Sequence, residues 1–176
     1  SWVTQSVGVG LQAVFFSDAN NGTAVGYPGA ILRTTDGGST WTPQSSGTSY
    51  FLWDVCFIDA EVGTTVGVDF MPPTRQGIIL KTTNGGTTWV TQRDTSNGLF
   101  GVSFSDVYNG ITVGWGDDYS GIILKTTNGG TTFLPPVLLS VSNGSVNQSI
   151  NPMFNWSSVP YATNYRFQLS TDSTFQ

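Results

Sequence analysis

Short runs of Val, Ile, Leu and Phe alternate along this chain with turns of Asp, Asn and Gly. Val14 and Phe16, Val55 and Phe57, and Val102 and Phe104 stand two residues apart, which in an extended strand puts each pair on one face. That face is expected to be a core face. An Asp follows each pair (Asp18, Asp59, Asp106) and opens a turn that Gly22, Gly63 or Gly110 closes, the residue types such turns use. A second short strand ends each time on Val-Gly, at Val25-Gly26, Val66-Gly67 and Val113-Gly114. After a connection of varying length comes a third strand, Ile-Leu-Arg/Lys-Thr-Thr. Its turn is Asp36-Gly37-Gly38, Asn84-Gly85-Gly86 or Asn128-Gly129-Gly130, where Asn and Gly accept the positive backbone angles of a tight hairpin. A fourth strand starts at Trp41 and at Trp89.

The pattern is an internal repeat. Gly29 to Trp41, Gly77 to Trp89 and Gly121 to Phe133 are near-copies starting 48 and 44 residues apart. Four antiparallel strands at that period describe a propeller blade. The expected fold is all-β: a partial β-propeller of three four-stranded blades, about residues 6–44, 45–92 and 93–134, followed by an incomplete β-sandwich over 135–176. Residues 1–5 match the fourth-strand segment and are expected to belong to another blade or to close a later one. Pro135-Pro136 interrupts the third repeat, since proline cannot donate to a ladder. Three strand-like segments after it, around Val137, Phe154 and Phe167, do not repeat the blade. Propellers normally have at least four blades. The expectation is therefore a window onto a longer protein, a pair of chains closing a six-bladed ring, or an open arc within a larger assembly.

Composition narrows the chemistry. Only 10% of the 176 residues are charged, the net charge is −5, and the six cations are scattered, which argues against a nucleic-acid partner. Histidine is absent, so there is no Ser-His or Cys-His pair and no imidazole ligand. The single Cys56 lies in an apolar run and reads as a small buried hydrophobe. No run of about 20 apolar residues could span a bilayer as a helix. No metal or cofactor is expected.

The string Thr34-x-Asp36-x-Gly38-x-Thr40-Trp41 is similar to the Asp-box of bacterial neuraminidase repeats. Residues 82–89 and 126–133 match with Asn for Asp, the last also with Phe for Trp. The resemblance implies structural roles for Asp36, Gly38, Trp41, Asn84, Gly86, Trp89, Asn128, Gly130 and Phe133. The Asp or Asn would accept backbone N–H groups across its hairpin, and the aromatic residue would pack between blades. Over residues 1–134 the fuller pattern resembles the photosystem II stability/assembly-factor-like propellers, whose repeats recur in large secreted bacterial proteins. The tail, with Asn151-Pro-x-Phe-x-Trp156, looks like the start of a fibronectin type III domain. Together they resemble modular exported surface proteins.

Catalysis is not expected. Sialidases with such repeats need an arginine triad with a Tyr and a Glu, whereas Arg33 belongs to the repeated strand and Glu61, the only Glu, lies in a turn. Among the carboxylates, Asp54 replaces Ala13 and Gly101 and is expected to line a central channel, solvated; Asp117-Asp118 reads as a solvated loop. In a four-stranded blade the connections after strands two and four share one end, and all the length variation falls there. So do Tyr27, Tyr50, Phe70, Trp115 and Tyr119, the candidate ligand-binding residues, because aromatics on variable loops over a rigid scaffold suit recognition of protein or glycan. The expected function is a non-enzymatic extracellular or cell-surface module that binds protein or glycan or acts as a spacer. The alternatives are a fragment of a sialidase- or xyloglucanase-like propeller enzyme and an assembly factor for a membrane complex.

Overall fold

A computed structural model describes residues 2–70, 76–95, 97–116 and 118–130. Phe133, the fourth strand of the third repeat and the fibronectin-like segment at 135–176 lie outside the described residues. The described chain forms eleven strands and no helix. β1 (Gly10–Phe16), β2 (Gly22–Tyr27), β3 (Ile31–Thr34) and β4 (Thr42–Gln44) make the first sheet in that order. β5 (Phe51–Phe57), β6 (Gly63–Asp69), β7 (Gln76–Thr82) and β8 (Val90–Thr95) make the second. β9 (Gly98–Phe104), β10 (Gly110–Trp115) and β11 (Gly121–Thr126) make a three-stranded third. Every pairing is antiparallel. Residues 2–5, matched in sequence to a fourth strand, are in no strand, and Trp2 is fully exposed.

The blades stack through their first strands: β5 lies against β1 and β2, and β9 against β5, β6 and β7. Leu52, Val55 and Phe57 of the second blade meet Val25, Ile31, Ala13 and Phe15 of the first, with Ile78 and Leu80 completing the cluster. Burying each such side chain contributes roughly 1.5–3 kcal/mol. The face carrying Val and Phe is thus a core face in the second blade. In the first blade Leu11, Val14 and Phe16 are exposed, with no other blade among the described residues beside them; Phe16 keeps an edge-to-face contact with Trp41 at 6.2 Å.

Polar contacts fix the register between blades. Arg33 Nη2 donates to the Ala60 carbonyl in the second blade at 2.7 Å and Nη1 to Thr23 Oγ1, while the guanidinium stands 5.3 Å over the Phe57 ring. Lys81, at the same place one blade on, donates to the Gly129 carbonyl at 2.7 Å. Both cations are buried, and burial alone pushes the Lys81 ammonium below its ordinary pKa. Gln44 of β4 donates to the Gly85 carbonyl and accepts the Trp89 indole N–H, which ties that ring to the first blade. Asp54, half-buried on β5, ties two blades together. Its Oδ1 accepts the Val55 N–H and its Oδ2 the Val102 N–H of the third blade, at 2.9 Å each.

At one end of each blade the two turns are built alike. Asp18, Asp59 and Asp106 each accept the N–H groups two and three residues on. In the hairpins, Asp36 Oδ1 accepts from the Thr34 hydroxyl and the Thr40 N–H, and Asn84 Oδ1 repeats both bonds from Thr82 and Thr88. Asn128 Oδ1 accepts from the Thr126 hydroxyl and the Gly130 N–H. Gly37, Gly85 and Gly129, each at positive φ, donate their N–H to the Asn20, Glu61 and Tyr108 carbonyls of the neighbouring turn.

The Thr40 N–H and hydroxyl, then the Thr34 hydroxyl, hold the Asp36 carboxyl down at about 2, from an ordinary 3.8. A depressed folded-state pKa contributes stability that is present above the unfolded value and lost as pH falls through the folded one. Asp36→Asn keeps the acceptor, as Asn84 does, and removes the titration. Thermal melts of the variant should therefore lose less stability than the parent between about pH 4 and pH 2; superimposable acid profiles would contradict the assignment.

Candidate aromatic recognition site

The loops after strands two and four share the end opposite these turns, as the Gly29 N–H bond to the Tyr50 carbonyl attests. There six rings make one run across all three blades. Tyr27, closing β2, stacks on Phe51 at the start of β5, with centroids 3.9 Å apart and planes 13° apart. Phe70 meets Phe51 at 5.4 Å and Trp53 at 6.3 Å, both edge-to-face. Trp53 meets Phe100 of the third blade at 5.4 Å, and Phe100 stacks on Trp115, at the end of β10, at 4.0 Å. Tyr27, Phe70 and Trp115 are exposed; Phe51, Trp53 and Phe100 are half-buried beneath them. Such pairs are each worth about 0.5–1.5 kcal/mol beyond their buried area.

A bulge puts the central rings there. Leu52 and Asp54 pair with the consecutive residues Gly67 and Val66, so Trp53 is left over and turns out of the ladder. Leu99 and Gly101 do the same against Gly114 and Val113, freeing Phe100; in the first blade the freed residue is Gln12. The glycine of each Val-Gly pair stands opposite the bulge, where a β-carbon would run into the Gly10, Phe51 or Gly98 carbonyl. This close approach is why the repeat carries glycine at 26, 67 and 114.

Of the sequence candidates, the structure brings Tyr27, Phe70 and Trp115 together. Tyr50 serves the scaffold: it is half-buried against the core, and its hydroxyl donates to Gln76 at 3.0 Å. Tyr119, exposed at φ 59°, sits in the loop after β10, where its N–H bonds the Gly116 carbonyl. The next carboxylate, Asp118, accepts the Ser120 hydroxyl and N–H, which hold it below its ordinary range. Phe51, Trp53 and Phe100 were not among the expected site residues. Their signal was the Leu-x-x-Val spacing at Leu11, Leu52 and Leu99, which puts two core residues three apart in a strand and so requires a bulge. The Trp53 indole N–H is enclosed with no acceptor among the described residues. No cluster of three metal-ligating side chains occurs among them either.

The same architecture is found in solved structures. YCF48 bound to D1 peptide superposes at a TM-score of 0.57 with 23% identity, over 70% of this chain and 38% of that one. YCF48 from Cyanidioschyzon merolae gives 0.58 with 25% identity, over 74% and 40%. The chain is a partial β-propeller. It spans about two fifths of the length of the neighbours it matches. No protein-family model matches this propeller chain, and no curated protein does.

If the rings form one packed unit, removing two of them will not be additive. A double-mutant cycle on Phe100→Ala and Trp115→Ala, read by denaturant unfolding, should return a coupling of about 0.5–1.5 kcal/mol. Strict additivity would mean that the stacking contributes nothing.

Proposed function

We propose that this chain is a non-enzymatic binding module that holds an extended segment of another protein along the aromatic run. The observation that carries this reading is the continuity of the six rings across three blades, with Tyr27, Phe70 and Trp115 exposed. Rigid aromatic anchors are the residues that dominate binding energy at protein interfaces, since they offer large contact area at small entropic cost. A glycan, the other expected partner, stacks on free ring faces. Here Tyr27 and Trp115 each lay a face on a neighbouring ring. The likeness to YCF48, one structure of which holds a D1 peptide, adds support for a protein segment as partner. Arg33 and Asp54, the groups a sialidase or glycosidase would enlist, are occupied in blade packing. We place the module in an exported or cell-surface protein of bacterial type, in keeping with its modular repeats. An assembly factor for a membrane complex would use the same rings on a different client, and the same neighbours favour that second reading.

Selection from a displayed library of extended peptides, beside a glycan array, tests the proposal. Peptides should bind, and Trp115→Ala or Phe70→Ala should weaken them at least about tenfold. Tyr108→Ala, on the turn end, should leave affinity unchanged. Glycan binding lost with the same variants and no peptide binding, or peptide binding indifferent to both rings, would overturn it.

A further inference from the structure

Six Asn-Gly pairs punctuate the chain, and five lie among the described residues: Asn21-Gly22, Asn84-Gly85, Asn97-Gly98, Asn109-Gly110 and Asn128-Gly129. Such a pair is prone to deamidate, because glycine has no β-carbon to shield its nitrogen from the asparagine side chain before it. How fast it does so depends on how firmly the fold holds the amide. In four of the five pairs the amide is tied. Asn21 Nδ2 donates to Asp18 and its Oδ1 accepts from Arg33. Asn109 Nδ2 donates to both oxygens of Asp106. Asn84 Nδ2 donates to the Thr88 hydroxyl, and its Oδ1 accepts from Thr82 and Thr88. Asn128 Oδ1 accepts the Thr126 hydroxyl and the Gly130 N–H. In the pairs at Asn84 and Asn128 the glycine N–H is also engaged, by the Glu61 and Tyr108 carbonyls.

Asn97 is held differently. It lies in the short link between β8 and β9, at the end where the aromatic rings gather. Thr95 fixes its backbone: the hydroxyl donates to the Asn97 carbonyl at 2.6 Å and accepts the Asn97 N–H at 3.4 Å. The side-chain amide, half-buried, makes no hydrogen bond among the described residues.

We propose that Asn97 is a site of spontaneous deamidation at the third-blade end of the aromatic run. The Gly98 nitrogen attacks Cγ of Asn97 and gives up its proton as ammonia leaves, closing a cyclic imide. Water then opens the ring at either carbonyl, to aspartate or to isoaspartate. The sum consumes a water, releases an ammonia and involves no oxidant or reductant. Both products alter the site. A β-carbon on Gly116 would stand 2.5 Å from Asn97 Oδ1 and 3.1 Å from Asp118 Oδ1, so a new carboxylate is set beside an existing one, and like charges repel. Isoaspartate also lengthens the main chain directly before Gly98, where a β-carbon would already meet the Phe100 ring at 3.0 Å. The chemistry does not depend on what the run binds.

Peptide mapping by mass spectrometry, with isoaspartate resolved from aspartate, tests this on the folded 176-residue chain aged in mildly alkaline buffer. Asn97 should convert several-fold faster than Asn21, Asn84, Asn109 and Asn128. In the same buffer with urea the five should react at similar rates, since each is followed by glycine and the tethers are gone. Conversion at Asn97 no faster than at the four tethered residues of the folded chain would overturn the proposal. So would the same ranking in urea, which would assign the difference to sequence and not to the fold.

Discussion

A single blade has two faces and can cover neither by itself; that constraint governs this structure. The second blade resolves it on both sides, between Val25 and Ile31 of the first blade and β9 of the third. Apolar burial supplies most of the stabilisation, since a Leu, Val or Phe removed from water contributes roughly 1.5–3 kcal/mol and a hydrogen bond nets about 1. The cations do something else. An ammonium or guanidinium enclosed between sheets costs more than it returns unless it finds an acceptor. The Arg33 and Lys81 bonds to carbonyls of the next blade are satisfied in one register only.

The two ends of the blades are consequently different materials. At the turn end, Asp18, Asp59 and Asp106 close one set of loops, Asp36, Asn84 and Asn128 the other, and a backbone bond ties the sets together within each blade. Nothing there varies in length. At the other end the connections differ from blade to blade, and the side chains that differ are large rings. Rigid repetition below and variation above is the arrangement in which a binding surface can change while the fold is kept.

Most of the scaffold was legible because it was said three times. The strands, the Asp turns and the Gly-Gly hairpins followed from local chemistry, and the local chemistry agrees with the structure. The aromatic loops were legible as a class, and Tyr27, Phe70 and Trp115 do lie in one run. What escaped was the bulge. Period-two reasoning puts Leu52 and Val55 on opposite faces, and only an extra residue in β5 lets both face the first blade. Trp53 and Phe100 therefore could not be aimed from alternation alone. The Asp54 bond to the Val102 N–H escaped for a related reason: the two residues are 48 apart, and no local pattern encodes that pair. The exposure of Val14 and Phe16 was equally invisible, because the same residues are core or surface according to whether another blade stands beside them.

Hydrogen exchange resolved by strand, in solution dilute enough to keep copies apart, tests the dependence on neighbours most directly. Stacking as the source of stability predicts the slowest exchange in β6, which is buried along its length, and faster exchange in β10, which is likewise paired on both edges but exposes Ile111 and Val113 on its outer face. Equal protection in the second and third blades, or the reverse order, would mean that each sheet is stable by itself and that stacking is not what holds the fold.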